Sequence, residues 1–228
     1  MDREKRVFGY IGLTVTILLL LYIIYAYEQG SNLLPVETNL WNDEVKIERK
    51  IKIPEGKTKE FILPAFLVGL YHSSTGTIGD SIEGLEDGNE DHSWFEKLED
   101  NGDGTLTMSV TGKQLERWIS TREHAINTRI ENNREKNMEI KIKKDYTKVT
   151  YIMKEGYETS FMGWGMDAQV ILGSLFEAQV FTGVAQEDCY VREVVKRETD
   201  GKVIIDTDSQ NRYFEITDAE WYGSGETE

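Results

Sequence analysis

Among the residues able to do chemistry, the densest group is acidic: ten Asp or Glu lie between Asp80 and Asp103, against the single Lys97. Within it Asp87, Glu90, Asp91 and His92 are close enough in sequence to act as a loop-borne acid/base or metal-assisted hydrolytic group. Glu99, Asn101, Asp103 and Gly104 fall on positions 1, 3, 5 and 6 of a calcium loop, whose oxygens must converge on a hard cation from one tight turn. Position 12 of that loop is Val110, so the bidentate carboxylate is missing; an acidic hairpin turn before a strand accounts for the same letters, with weak Ca2+ binding as the alternative. The three histidines, His72, His92 and His124, are scattered and show no metal-ligand spacing. No G-x-S-x-G elbow is present, and SSTGTIGD has the glycines of a phosphate loop without its lysine. No catalytic residue is assigned on these grounds.

A second candidate is a surface. From Phe161 to Gly183 the chain is apolar almost all round, and only Asp167 and Glu177 charge it. Phe161, Trp164, Ala168, Ile171, Leu172 and Leu175 make one helical stripe, while Met162, Met166, Val170 and Phe181 lie on other sides. Such a helix must be covered around most of its girth. Burial inside its own domain is one reading; a partner protein or a second copy seated on Phe161, Trp164, Met166, Val170 and Phe181 is the other.

These groups have to be placed relative to a membrane. Val7 to Tyr27 is an uncharged run of 21 residues, about 31 Å long as a helix and matched to a hydrocarbon core of about 30 Å. Arg3, Lys5 and Arg6 precede it, whereas Glu28 to Val45 holds no Lys or Arg, so residues 1–6 are expected in the cytoplasm and the rest outside. The apolar run exceeds the usual signal-peptide length and Ile24, Tyr25 and Ala26 make a poor cleavage site, which favours an uncleaved signal anchor. Removing the net +1 of residues 1–6 from the total of -15 leaves an exported part of -16. That charge excludes binding to a nucleic-acid backbone and suits basic partners or cations. The lone Cys189 has no internal disulfide partner and is expected to be buried in a strand.

The elements follow from periodicity. Residues 28–44 read as a spacer. Val45, Ile47, Ile51 and Ile53 alternate as a strand interrupted by Arg49, and Pro64 splits or demotes the apolar run Phe61 to Tyr71. His72 to Asp103 reads as a long mobile loop. Leu106, Met108 and Val110 mark a strand; Thr111 and Gln114 form a capping box for a helix carrying Leu115, Trp118, Ile119, Arg122, Ile126 and Ile130 on one side, with Glu131 to Asn137 expected to end it. Met138 to Ile142 and Val149 to Met153 form a hairpin, Thr159 or Ser160 caps the apolar helix, and Tyr190 to Arg197 with Lys202 to Asp206 make a second hairpin around Asp200-Gly201. The order strand, helix, strand, strand, helix, strand over 104–206 predicts an α+β domain of split βαβ, ferredoxin-like layout, with an antiparallel sheet carrying both helices on one face. Strands within 45–103 would extend that sheet or cap it, and 207–228 reads as a frayed acidic tail.

The strings DNGDGTLTMSVTGKQLERW (Asp100 to Trp118) and DYTKVTYIM (Asp145 to Met153), followed by the apolar helix and a hairpin with TDGK, resemble uncharacterised membrane-anchored or lipoprotein surface proteins of low-GC Gram-positive bacteria. The resemblance covers roughly Asp100 to Asp206, rests on layout, and brings no catalytic residue; this chain differs from the lipoprotein members in lacking a Cys for lipidation at the end of its apolar run. It implies a bacterial cell-envelope setting. Together these readings predict a non-enzymatic, membrane-anchored extracytoplasmic interaction or structural module, with an exported carboxylate- or metal-dependent hydrolase and a weak calcium-binding surface protein as alternatives.

Overall fold

Alternation of apolar and charged residues in Met138–Lys143 (β5) gives it one buried and one half-buried face, Lys148–Met153 (β6) is buried from Val149 to Met153, and the two pair antiparallel with Met138 opposite Met153 and Ile142 opposite Val149. The computed structural model describes residues 41–42, 44–71, 78–211 and 215–223. The chain divides into Met1–Leu40 and Trp41–Glu228, and only the second unit contains described residues. The expected membrane span Val7 to Tyr27, the cytoplasmic tip and most of the spacer therefore lie outside them. Among the described residues no helix is long and apolar enough to cross a membrane.

The domain is α+β, with two sheets among the described residues. In the first, of order β1-β5-β6-β7-β8, Trp41–Asn42 (β1) forms an edge. Arg192–Arg197 (β7) runs parallel to β6 and pairs antiparallel with Val203–Asp208 (β8), around Gly201 at φ +68°. The second sheet is Thr58–Leu63 (β2), Leu106–Thr111 (β4) and Lys97–Asp100 (β3), with β4 in the middle. This corrects the ferredoxin-like expectation. Element order is as read, but β4 has both edges occupied by β2 and β3 and joins no strand of the first sheet.

Gly112–Glu135 (α3) leaves β4 through the capping box: Thr111 Oγ1 accepts from Gln114 N–H and the Gln114 side chain accepts from Thr111 N–H. It ends at Glu135 with Lys136 as its C-cap, inside the polar stretch Glu131 to Asn137 expected to end it, and one residue of that otherwise exposed stretch is buried. Asn133 is 1% exposed and donates to Asp167 at 2.9 Å, and Arg129 pairs with the same carboxylate at 2.8 Å. Phe161–Thr182 (α4), capped by Ser160 and stopped by Gly183 at φ +96°, supplies Asp167 and crosses from β6 to β7. Both sheets meet this helix: Tyr151 of β6 packs edge-on against Trp164, and Phe61 of β2 against Phe181. Ala65–Tyr71 (α1) covers it further, Phe66 lying 4.8 Å from Phe176 ring to ring. An all-round apolar helix is thus made the centre of the core.

Three further expectations change. Val45 to Ile53 forms no strand; it runs antiparallel along α3, and its alternating apolar face packs on helix in place of sheet. The stretch His72 to Asp103 contains Ile78–Asp87 (α2) and β3; residues 72–77 lie outside the described set. The acidic tail carries a capped turn of helix, Asp218–Tyr222 (α5), whose Trp221 is fully buried and donates to Thr159 C=O at 3.0 Å.

Candidate functional site

The acidic residues singled out in the sequence do not converge. Asp87 ends α2, and Glu90, Asp91 and His92 follow in an exposed turn where His92 takes φ +53°. Asp91 accepts from Ser93 N–H at 3.0 Å, and the Ser93 hydroxyl and N–H hold its carboxyl below the usual range. It stays ionised at neutral pH, the opposite of what a general acid requires. His92 contributes its carbonyl to Gln114 Nε2 at 2.8 Å.

The calcium-loop candidates serve their own hairpin. Asp103 Oδ1 accepts from both Thr105 N–H and Thr105 Oγ1, Asn101 Oδ1 accepts from Thr107 Oγ1, and Glu99 pairs with Lys97 at 2.7 Å. Among the described residues no group of three or more His, Cys, Asp or Glu is placed to hold a metal ion. His124 is exposed on α3.

The candidate partner surface is largely taken by the chain's own core. Trp164 and Phe181 are each 1% exposed, and Phe161 stacks on Trp164 and meets Trp221 edge-on. Val170 is half-buried. Met166 is 70% exposed and Met162, one turn before it, 77%, so the outward part of α4 is a narrow methionine strip.

The structure assembles a different site between α2 and α3. Gly84, Leu85 and Gly88 form one side and Trp94, Phe95, Trp118 and Arg122 the other, around a cleft of about 140 Å³. Asn89 is 5% exposed and builds the aromatic wall: its Oδ1 accepts from Trp94 N–H at 2.9 Å and Phe95 N–H at 3.2 Å, and its Nδ2 donates to Phe95 C=O at 2.8 Å. Trp118 Nε1 donates to Trp94 C=O at 2.8 Å, and the two indoles meet edge-on at 5.0 Å. Arg117 lies over the Trp94 ring at 4.3 Å and Arg122 over Trp118 at 5.0 Å. Arg122 also reaches Glu177, which α4 buries to 2% exposure. Glu83, Glu86, Asp87, Glu90 and Asp91 are exposed on α2 and the turn that follows it.

Trp118 and Arg122 read in the sequence as part of one helix stripe, and nothing there joins them to Gly84, Leu85, Gly88, Trp94 and Phe95. The one signal was the pair Trp94-Phe95 inside a stretch otherwise read as solvated, since adjacent aromatics in an acidic segment need a cover. No family model, curated protein or solved structure matches the chain.

Proposed function

We propose that this chain is a single-pass, membrane-anchored protein of a bacterial envelope whose folded domain lies outside the cytoplasm and works by binding another protein. The observation that carries the reading is the uncharged run Val7 to Tyr27, preceded by Arg3, Lys5 and Arg6 and followed by an acidic remainder. An acidic domain on a short spacer is kept off an anionic lipid surface and left available to basic partners. Support for binding over catalysis comes from the site: Asp87 at the end of α2 and Glu90 and Asp91 on the turn after it are exposed, while the aromatic cleft offers apolar contact and no nucleophile among its lining residues.

Protease added to intact, wall-stripped cells tests the topology. The proposal expects digestion of the C-terminal domain; protection in intact cells with digestion after lysis would reverse the orientation and remove the envelope role.

A further inference from the structure

We propose that the cleft between α2 and α3 receives one uncharged, ring-sized side chain carried on a basic segment of a partner protein. This deepens the interaction reading above and rests on it for the existence of a partner.

The first argument is the pair of glycines. Gly84 and Gly88 lie one turn apart in and just after α2, and a Cβ built on Gly84 meets nothing within 4 Å. One built on Gly88 meets only the helix's own carbonyls, at 3.5 and 3.6 Å. Glycine within a helix costs about 0.5–1 kcal/mol relative to alanine, and no packing neighbour among the described residues requires either one. Both line the cleft, so what they preserve is room that no described residue fills.

The second argument is preorganisation. Asn89 and the Trp118 to Trp94 hydrogen bond fix the opposite wall before any ligand arrives, which lowers the ordering cost of binding. The cleft measures about 140 Å³, and a cavity of about 150 Å³ accommodates a benzene. One phenyl-sized or leucine-sized group fits.

Charge then selects the occupant. Arg117 and Arg122 already lie over the two indole faces, so an inserted cation would meet guanidinium in place of a free ring. The exposed carboxylates of and just after α2 disfavour an anion, so the inserted group is neutral. On α2 and the turn after it Glu83, Glu86, Asp87, Glu90 and Asp91 are exposed, with no Lys or Arg from residue 78 to 96, so the flanks of the arriving segment are positive. An apolar anchor in a preformed pocket with complementary charge along one side is the arrangement of an interface hot spot.

The test uses the full-length protein in phosphatidylcholine nanodiscs and titrates Trp fluorescence with two amidated peptides, Lys-Lys-Phe-Lys-Lys and Lys-Lys-Gly-Lys-Lys. The expected result is at least tenfold tighter binding of the Phe peptide. Gly84→Leu should abolish that preference by filling the cleft, and Glu86→Gln with Asp87→Asn should weaken both peptides in parallel. Equal affinity of the two peptides for the unaltered protein would reduce the effect to bulk charge and overturn the proposal. Free indole serves as competitor and guards against a misfolded Gly84→Leu: displacement of the Phe peptide by millimolar indole supports the cleft as its seat, and failure to displace it overturns the claim. Indole binding as tightly as the peptide would overturn the partner-segment claim in favour of a small-molecule site. Peptide selectivity with a protease-protected domain would leave the cleft standing and remove the location; an accessible domain without selectivity would do the reverse.

Discussion

Asn127 holds Val45 as a neighbouring strand would: its Oδ1 accepts from Val45 N–H at 2.9 Å and its Nδ2 donates to Val45 C=O at 3.0 Å, across 82 positions of sequence. Two residues on, Ile47 N–H donates to Glu123 Oε1 at 2.6 Å; Arg49 then reaches Glu123 and Glu116, and Ile53 lies against Gly112. Segment and helix keep step because two extended residues advance about 6.6 Å and four helical residues about 6 Å. Asn127→Ala removes both contacts to Val45, which is fully buried, and should destabilise the domain by about 2 kcal/mol. Chemical denaturation of the full-length protein measures this. A change below about 0.5 kcal/mol would mean the segment is held by its isoleucines alone.

Glu123 makes the same attachment pH-dependent. Burial raises its pKa, but hydrogen bonds from Arg49 and from Ile47 N–H outweigh burial and leave it below the ordinary 4.5. A carboxyl whose folded value is depressed contributes stability that is present above its unfolded value and lost as pH falls through the folded one. The thermal midpoint of Glu123→Gln should therefore lie below that of the unaltered protein at pH 7, with the gap closing as pH drops below about 4.5. A gap independent of pH would show that the charge on Glu123 contributes nothing.

What was legible in the sequence was local. The Thr111/Gln114 capping box, the Ser160 and Gly183 ends of α4 and the two hairpins are decided by residues within a few positions of one another, and all are found as read. The alternation in Val45 to Ile53 correctly identified a buried face, but period two does not say whether a sheet or a helix buries it. Arg49, which interrupted that pattern, sits on the same face because Glu123 and Glu116 await it there. In α2, Ile82 and Leu85 were outvoted by Glu83, Glu86 and Asp87, so a short amphipathic helix read as a charged loop. Sheet membership of β4 and the aromatic cleft depend on contacts between distant segments, which spacing does not encode.

The C-terminal segment should behave as core. Trp221 is fully buried, lies 5.3 Å from both Phe161 and Trp164 ring to ring, and hydrogen-bonds Thr159 C=O. Trp221→Ala should cost about 3–5 kcal/mol, and deletion of residues 215–228 should cost at least as much. A thermal midpoint unchanged by the deletion would return this segment to the status of a tail.

Cys189 lies just before β7 rather than within a strand, and it is 7% exposed. Burial, with smaller contributions from Asp188 and Glu187, pushes its thiol up to about 11. The folded protein should resist a thiol-reactive dye at pH 8 and react fully once denatured. Because the folded value lies above the unfolded one, the associated stability is intact below about pH 9 and declines from there towards 11. Rapid labelling of the folded protein at pH 8 would contradict this placement.

Arg122 and Glu177 join α3 to α4 at the back of the aromatic cleft, and Glu177 is 2% exposed while the Arg122 side chain is 24% exposed. Removing one member of a buried pair costs about 3–5 kcal/mol because the other charge stays desolvated, whereas replacing both with apolar groups is often neutral. Arg122→Met alone should therefore be strongly destabilising, and adding Glu177→Leu should recover most of the loss, giving a large coupling energy in a double-mutant cycle. Simple additivity of the two losses would mean that the guanidinium contributes through its stacking on Trp118, and that Glu177 is accommodated by other contacts within α4's surroundings.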